Sequence, residues 1–405
     1  MIQLFPPTQQ PVTGTIDLPA SKSISNRALI LSMLSQSTEE IRHLADCDDT
    51  SVMIETLRST QSTFDIGAAG TSMRFLTAYL ANREGEWTLT GSERMKNRPI
   101  AVLVNALNQL GAKIEYIEKE GYPPLHIAGK ALQGGKITLA GNISSQYISA
   151  LLMVAPVMVE GLEITLEGEI ISRPYLQMTL RMMEEFGVTA KWDGQTISIP
   201  HQNYNPIAFH VESDWSAASY WYAIAALSEG CSFKLLGLKQ NSTQGDSKVA
   251  EIFGSLGIKT EFTADGVIIS RSGKPIANIL YNFINQPDLA QTVVVCCCLL
   301  NIPFSFSGLQ TLKIKETDRI AALKNESAKL GYLLEEPGEG MLVWNGKRIE
   351  PDYKQAICTY EDHRMAMAFA SAALIHPIKI EHPEVVSKSY PRFWDDLQSI
   401  GFTIQ

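Results

Sequence analysis

Six apolar segments, each opened by polar or small residues, are the feature that most restricts how this 405-residue chain folds. Apolar residues occur on nearly all sides of each segment, which is typical of helices in a protein interior. After the first gap the openings recur at intervals of roughly seventy residues, which indicates a chain built from repeated units. The openings lie near Ser21, Gly70, Ser144, Asp214, Asp288 and Asp362, and the helix bodies span 28–34, 73–81, 148–159, 217–227, 289–300 and 365–374.

A second, amphipathic helix follows each buried one, and five of these end in a glycine suited to a left-handed C-cap. The residues after the glycine, as in 113–116 and 189–192, alternate like strands. This order predicts an α/β fold with three βαβαββ units in each of two similar domains. The amphipathic helices span 100–110, 175–186, 248–256, 319–330 and 393–400, and their glycines are Gly111, Gly187, Gly257, Gly331 and Gly401.

The length of the chain favours two domains over one hydrophobic core. The boundary lies near 209–213, which gives an N-terminal domain of residues 21–212 and a C-terminal domain of residues 213–405. Residues 1–20 are predicted to join the C-terminal domain, so that the chain crosses between domains twice and forms a hinge. If the buried helices run parallel within each domain, their polar openings form an interdomain cleft whose helix dipoles favour polyanions.

The composition limits what such a cleft binds. A net charge of -9 argues against general nucleic-acid binding, so a basic site must be local. The six cysteines form no zinc or redox motif, and buried free thiols are expected. The longest apolar run, 293–300, is too short to cross a bilayer, and the N-terminus has no signal-peptide core. We therefore expect a cytoplasmic monomer with no membrane partner.

The first opening combines hydroxyls, an amide and two cations at the start of an apolar helix. Lys22, Ser23 and Arg27 lie where unpaired N–H groups and the helix dipole favour an anion. A surface helix capped by Ser21 explains the segment equally well.

The second opening places Gly70 where a ligand can approach the backbone closely, although a tight turn needs the same residue. Arg74, one turn into the helix, is interpreted as structural. Arg98, in a basic loop ahead of an amphipathic helix, is the predicted anion ligand of this region. A solvated basic loop is the alternative.

The third opening offers two hydroxyls and an amide, in Ser144, Ser145 and Gln146, which are neutral donors suited to a phosphate. Ser172 and Tyr175 repeat this arrangement before the next amphipathic helix. N-capping is the alternative for Ser172.

The openings of the C-terminal half are acidic. Asp214 and Asp246 are interpreted as an ordinary N-cap and an ordinary helix start. Asp288 precedes a helix so apolar that its carboxylate should border a dry region, where it can act as a base; a capping aspartate is the alternative.

The C-terminal half also carries cations in three further segments. Lys315, Glu316 and Arg319 are not needed for capping, because Thr317 or Asp318 can cap. Arg364 begins an apolar helix and needs an anion, which Asp362 can supply from within the chain. Lys388 precedes the final helix.

Five segments together resemble the 5-enolpyruvylshikimate-3-phosphate synthases, a branch of the enolpyruvyl transferase family. They span 18–29, 69–74, 94–99, 315–319 and 362–367. The resemblance implies an inverse α/β barrel of two domains, each of three βαβαββ units, with the active site in the interdomain cleft. It implies transfer of the enolpyruvyl group of phosphoenolpyruvate to the 5-hydroxyl of shikimate 3-phosphate, with release of phosphate, on the shikimate pathway to chorismate and aromatic amino acids. No cofactor and no metal are implied.

The resemblance also assigns roles to individual residues. Asp288 is the implied base at the hydroxyl, and Glu316, assisted by Lys22, is the implied proton carrier at C3 of phosphoenolpyruvate. Residues implied to bind shikimate 3-phosphate are Lys22, Ser23, Arg27, Ser144, Ser145, Gln146, Ser172, Tyr175, Asp288 and Lys315. Those implied to bind phosphoenolpyruvate are Lys22, Gly70, Arg98, Gln146, Arg319, Arg364 and Lys388.

Three positions depart from the pattern of the family. Thr311 stands where many members carry a substrate-binding asparagine, Ala68 replaces an asparagine, and Phe75 replaces a proline. Glyphosate competes with phosphoenolpyruvate in this family, so Gly70 implies a site that admits it, while Phe75 has the potential to weaken inhibition.

Two other functions fit part of the pattern. The related transferase that acts on UDP-N-acetylglucosamine uses a loop cysteine, for which Cys47 and Cys231 are unsuitable counterparts. A phosphate-ester binding protein without catalysis explains the cations and serines but leaves Asp288 and Glu316 unexplained.

Overall fold

A computed structural model of the chain describes residues 1–9 and 11–405, with Ile314 described by its backbone alone. Helices and strands alternate along the chain in a mixed α/β fold. The α-helices are α1 (Lys22–Leu34), α2 (Asp48–Arg58), α3 (Gly70–Ala81), α4 (Ala101–Gln109), α5 (Ser145–Val154), α6 (Arg173–Glu185), α7 (Trp215–Leu227), α8 (Val249–Ser255), α9 (Ala290–Leu299), α10 (Arg319–Lys329), α11 (His363–Ala370) and α12 (Phe393–Ser399).

The strands are short and are distributed over several sheets. They are β1 (Ile2–Phe5), β2 (Thr13–Ile16), β3 (Ile41–Arg42), β4 (Thr63–Asp65), β5 (Gly85–Thr90), β6 (Lys113–Tyr116), β7 (Leu125–Gly129), β8 (Gly135–Ala140), β9 (Leu162–Glu167), β10 (Lys191–Asp193), β11 (Thr196–Ile199), β12 (Phe209–His210), β13 (Ser232–Leu236), β14 (Ile258–Thr263), β15 (Gly266–Arg271), β16 (Ile279–Asn282), β17 (Phe304–Ser307), β18 (Leu342–Trp344), β19 (Ile378–Ile380) and β20 (Thr403–Ile404).

The chain divides into two compact units. The N-terminal unit is Ser21–Val211, and the C-terminal unit is Glu212–Gln405 together with Met1–Ala20. Both strands of the first twenty residues pair within the C-terminal unit: β1 lies between β19 and β20, and β2 pairs in parallel with β13.

In the N-terminal unit, two four-stranded sheets share one topology. Their strand orders are β4-β5-β7-β6 and β8-β9-β11-β10. In each, the first two strands are parallel and are joined through a buried helix, α3 or α5, because a parallel pair needs a crossover connection. After α4 or α6, the last two strands form an antiparallel pair.

In the C-terminal unit the sheet β2-β13-β15-β14 has the same order, with β2 and β13 parallel and the other pairs antiparallel. The remaining sheets are β16-β17-β18 and β19-β1-β20. The core of this unit includes α7, α9 and α11, and every residue of α9 is buried. The three consecutive cysteines lie in α9 as buried free thiols, as predicted.

The predicted apolar helices are confirmed, with two differences at their ends. Pro156 lies in a 3-10 turn after α5, which stops this helix short of the predicted residue 159. A 3-10 turn likewise ends α11 early. The glycine C-caps are confirmed: at Gly111, for example, φ is 100° and its N–H donates to the Asn108 carbonyl.

Helix α2 is the second helix, which follows the first buried one, and no range was predicted for it. It begins at an acidic pair, Asp48 and Asp49, and is followed by Ser59 in an extended conformation, without a terminal glycine. Among the described residues, no helix is both long and apolar enough to span a membrane.

Candidate active site

Arg27, in the second turn of α1, is a buried cation with neutral partners. Only 2% of the residue is exposed. Its guanidinium donates to Thr179 Oγ1 (2.8 Å), Ser149 Oγ (3.1 Å) and the Ser23 carbonyl (2.9 Å). Burial lowers the pKa of Arg27 to about 10. No carboxylate of the described residues lies within 4.0 Å of it, so the positive charge is left for an anion to compensate.

The start of α1 differs from a serine-capped helix. The Ser21 hydroxyl makes no capping bond, and it is buried without a hydrogen-bond partner among the described residues. The capping interpretation is therefore wrong for Ser21. Lys22 lies at the same end of the helix, with its Nζ 3.3 Å from Asp49 Oδ2 of α2.

Gly70 opens α3 and lies directly against the guanidinium of Arg98. A Cβ at position 70 would be 2.5 Å from Arg98 Nη1, which is far inside van der Waals contact. The neighbouring Thr71 accepts a hydrogen bond from Gln146 Nε2 at 3.1 Å. The predicted residues Gly70, Arg98 and Gln146 are thus brought together where α3 and α5 begin.

Arg74 holds this arrangement in place. Its side chain donates to the Gly70 carbonyl (3.2 Å) and to the Pro99 carbonyl (3.1 Å), and it faces the ring of Tyr147. Its structural interpretation is confirmed, because these bonds connect α3 to the loop that carries Arg98.

The starts of α5 and α6 supply the remaining polar groups of this unit. Ser144 Oγ caps α5 by accepting from the Gln146 backbone N–H at 3.4 Å. Ser172 is buried in the left-handed region with φ 52° and makes no capping bond, so N-capping by its hydroxyl is wrong. Ser145 and Tyr175 are half-buried in the first turns of the two helices. The predicted site residues of this unit, here called the N-terminal half-site, are Lys22, Ser23, Arg27, Gly70, Arg98, Ser144, Ser145, Gln146, Ser172 and Tyr175.

In the C-terminal unit, Asp288 lies in a 3-10 turn just before α9 and binds cations through both oxygens. Oδ1 accepts from Arg319 Nη1 (3.2 Å) and lies 3.7 Å from Lys315 Nζ, while Oδ2 accepts from Arg364 Nη2 (3.0 Å). Gln286 occupies the N-cap position of this turn, and Asp288 lies within its first turn. Burial alone would raise the pKa of Asp288, but Arg364, Lys315 and Arg319 together hold it well below its usual range.

Arg319, the first residue of α10, is a buried cation with acidic partners. It donates to Asp362 Oδ2 (2.6 Å), Glu316 Oε2 (2.8 Å) and Asp288. Burial opposes its charge, yet Asp362, Glu316 and Asp288 raise its pKa above the usual value. Asp318 caps α10 by accepting from the Ala321 N–H, as predicted.

The partner of Arg364 was predicted wrongly. Its side chain pairs with Asp288, whereas Asp362 accepts from the backbone N–H of Arg364 at 2.9 Å and from the Arg319 side chain. Lys388 Nζ donates to the Glu361 carbonyl at 2.8 Å. The predicted site residues of this unit, here called the C-terminal half-site, are Asp288, Lys315, Glu316, Arg319, Arg364 and Lys388.

Three further polar side chains were not predicted as functional. Asp49 belongs to α2, for which no range was predicted, and Asp246 is buried in a turn that the sequence marked only as a helix start. The hydroxyl of Thr311 is buried with no hydrogen-bond partner among the described residues. For these three positions the sequence offered one signal, which is a threonine at position 311 where many members of the family carry an asparagine.

The side chains of the two half-sites are suited to anion binding and to proton exchange at carboxylates. Arginines, lysines and helix N-termini bind phosphates and carboxylates, and Asp288 and Glu316 can exchange protons. Within the described residues, no group of three or more His, Cys, Asp or Glu side chains is placed to hold a metal ion.

Comparison with known proteins gives one consistent match. Residues 6–63 and 59–397 match the profile of the family described as EPSP synthase (3-phosphoshikimate 1-carboxyvinyltransferase). A 3-phosphoshikimate 1-carboxyvinyltransferase from Bacteroides fragilis is 56% identical over 396 residues, with 97% of each chain covered. One from Vibrio cholerae is 39% identical over 430 residues, covering 97% of this chain and 99% of the relative.

A solved structure is similar in fold. EPSP synthase from Acinetobacter baumannii superposes with a TM-score of 0.81 over 100% of this chain and 99% of that one, at 21% identity.

Proposed function

The chain belongs to the EPSP synthase family, and we propose that its two half-sites bind the two substrates of that reaction. The activity is that of a 3-phosphoshikimate 1-carboxyvinyltransferase of the shikimate pathway. The observation that carries the residue assignment is Asp288, whose two carboxylate oxygens contact the cations proposed to receive substrate.

Shikimate 3-phosphate is proposed to bind mainly at the N-terminal half-site. The buried charge of Arg27 has neutral partners and can accept an anionic group of the substrate without first losing a carboxylate. The serines and Gln146 at the starts of α5 and α6 offer neutral donors to the phosphate. Asp288 and Lys315 are proposed to contact the same substrate.

Phosphoenolpyruvate is proposed to bind to cations of both half-sites. Arg98 lies over the start of α3, where only a glycine leaves it room. Lys22 is assigned to both substrates. The other proposed contacts are Gly70, Gln146, Arg319, Arg364 and Lys388.

The proposed reaction is an addition followed by an elimination. The 5-hydroxyl oxygen of shikimate 3-phosphate bonds to C2 of phosphoenolpyruvate while Asp288 takes the hydroxyl proton and Glu316, assisted by Lys22, gives a proton to C3. A proton then leaves C3 and the C2–O bond to phosphate breaks, which restores the double bond. Fixed cations next to both substrates supply positioning and charge stabilisation.

The three cations around Asp288 make it a weak base in the absence of substrate. When the phosphate and carboxylate of phosphoenolpyruvate share Arg319 and Arg364, less positive charge acts on Asp288 and its pKa rises. Substrate binding therefore strengthens the base just where the hydroxyl proton must be removed.

At the level of architecture, we propose that each unit is a domain of three βαβαββ units. The strand orders shared by three of the sheets support this. Location in the cytoplasm, the monomeric state and inhibition by millimolar glyphosate stay predictions.

The test is phosphate release by the purified protein with shikimate 3-phosphate and phosphoenolpyruvate. Release that requires both substrates is expected. Release with UDP-N-acetylglucosamine in place of shikimate 3-phosphate, and none with the expected pair, would instead identify the related transferase. Binding of both substrates without phosphate release would identify a binding protein.

A further inference from the structure

Asp246 is a buried carboxyl of the C-terminal unit that the proposed reaction does not use. It lies in the 3-10 turn Gly245–Lys248 before α8 and is 4% exposed. Its Oδ2 accepts a hydrogen bond from the hydroxyl of Ser216, in the first turn of α7. Its Oδ1 is buried and has no hydrogen-bond partner among the described residues. A buried ionised carboxylate needs more than one donor, so this environment favours the protonated form.

The turn that carries Asp246 is fixed to the start of α7. Gln244 Oε1 accepts from the Trp215 backbone N–H at 3.1 Å, and Gln244 Nε2 donates to the Ser213 carbonyl at 2.8 Å. These bonds hold the turn against the start of α7, where the Asp246 carboxyl is buried.

Packing and charge both connect Asp246 to the C-terminal half-site, because its turn and the 3-10 turn Pro287–Leu289 that carries Asp288 both pack against α7. Burial first, and the nearby negative charge of Asp288 second, raise the pKa of Asp246 to about 7, while Arg364 and the Ser216 hydroxyl act in the opposite direction. The titratable and charged groups on the surrounding elements are Asp214 on α7, Lys248 in the same turn, Glu251 on α8, Tyr281 on β16, Asp288 before α9 and Arg364 on α11.

The protonation state of Asp246 changes the charge offered to an anion. The cations Lys315, Arg319, Arg364 and Lys388 are offset in part by the carboxylates Asp288, Glu316 and Asp362. Ionisation of Asp246 adds one more negative charge, and the new carboxylate attracts Arg364.

We propose that Asp246 is a positioning residue for the reaction. It must hold a proton for Arg364 to bind phosphoenolpyruvate well. Loss of that proton places a further negative charge near Arg364, which already pairs with Asp288, and weakens anion binding. The inference rests on the proposed function, in which Arg364 binds phosphoenolpyruvate.

The test compares wild type with Asp246→Asn, which keeps the shape of the side chain and removes its titration. The KM for phosphoenolpyruvate is measured at saturating shikimate 3-phosphate between about pH 6 and about pH 8.5. The ratio of wild-type KM to variant KM is expected to rise about fivefold from pH 7 to pH 8, as for one proton lost with a pKa near 7. Taking the ratio cancels the titration of the substrate phosphates, and the ratio of kcat values should change little.

Ser216→Ala tests the same inference without removing the carboxyl. Loss of the hydroxyl that stabilises the ionised form should move the rise in KM to higher pH, where a merely structural role would raise KM equally at all pH values. The matched control is Asp265→Asn, which removes an exposed carboxylate of the same unit that pairs with Lys234 at 2.6 Å. It should follow the wild-type profile.

An Asp246→Asn enzyme that is active with the wild-type pH dependence of KM would overturn the inference and leave the proposed function intact. If Asp246→Asn does not fold, an unshifted profile for Ser216→Ala overturns the inference in the same way. A wild-type enzyme without turnover at any pH would overturn the proposed function, and the inference with it.

Discussion

Arg27 and Arg319 are both buried arginines at the start of a helix, one in each unit, but their partners differ in kind. Arg27 donates to two hydroxyls and a carbonyl, whereas Arg319 donates to three carboxylates. Burial lowers the pKa of Arg27, and the carboxylates outweigh burial and raise that of Arg319. Burial of a cation therefore does not by itself identify a site for an anion. Carboxylate partners neutralise the cation, whereas neutral partners leave its positive charge to attract an anion.

The same contrast separates the two half-sites in the proposed reaction. An anion that reaches Arg27 meets a charge already available to it. An anion that reaches Arg319 or Arg364 competes with carboxylates for these arginines. When the anion binds, the carboxylates lose part of their positive partner and their pKa rises. Binding and proton transfer are therefore coupled in the C-terminal half-site and much less so in the N-terminal one.

The largest expected effect is on turnover in Asp288→Asn. The amide cannot take the hydroxyl proton, so kcat should fall by about 10²–10⁴-fold, while shikimate 3-phosphate still binds at the N-terminal half-site. Steady-state kcat and calorimetric binding of shikimate 3-phosphate provide the measurement. A near wild-type rate would show that Asp288 is not the base.

Replacing each buried arginine by methionine tests the comparison through stability. Arg319→Met leaves buried carboxylates without their cation and should cost about 3–5 kcal/mol of unfolding free energy at neutral pH. Arg27→Met leaves only neutral groups unpaired and should cost about 1–3 kcal/mol.

The pH dependence of these two losses should also differ. Protonation of the abandoned carboxylates should reduce the loss in Arg319→Met as the pH falls, whereas the loss in Arg27→Met should stay constant. Denaturant unfolding at neutral and mildly acidic pH measures both. Equal pH dependence of the two variants would contradict the contrast between the arginines.

Lys22→Met should impair binding and turnover together, because Lys22 is proposed to contact both substrates. The expected decrease in kcat is about a hundredfold, with a higher KM for each substrate. Asp49→Asn is the matched control, since it removes the partner of Lys22 and keeps the lysine. A change confined to one KM would assign Lys22 to a single substrate.

Gly70→Ala should have the smallest effect. The added methyl group must displace the Arg98 guanidinium, and the cost of such crowding corresponds to about a tenfold rise in KM for phosphoenolpyruvate. The KM for shikimate 3-phosphate should not change. Steady-state kinetics with each substrate varied in turn measure both KM values. An equal rise in both would show that displacement of Arg98 is not the cause.

The buried helices and their polar starts were predictable because apolar patterning and glycine caps are local signals. Helix α2 lacks the glycine cap and begins with two acids, so the segment resembled an acidic loop and Asp49 was overlooked. The motif-matched residues were found through the family resemblance, since none of them is specific alone.

The charge pairs were less predictable than the helices. Asp362 stands two residues before Arg364, which suggested an internal pair, but its carboxylate caps its own helix and binds Arg319 from α10. Asp246 shows the same limit, because its burial arises from contacts with α7 that the turn sequence does not reveal. Such pairings depend on which helix starts meet in three dimensions.

The central position of β1 between β19 and β20 has a consequence for the order of folding. The backbones of Gln3 and Gln405 exchange hydrogen bonds in both directions, so two residues very far apart in the sequence are direct neighbours. Residues 21–211 form a compact unit of their own, which can fold before β1 and β2 are paired. Strand β2 needs only β13, whereas β1 needs β19 and β20, so the sheet β19-β1-β20 is expected to close later than the sheet that contains β2.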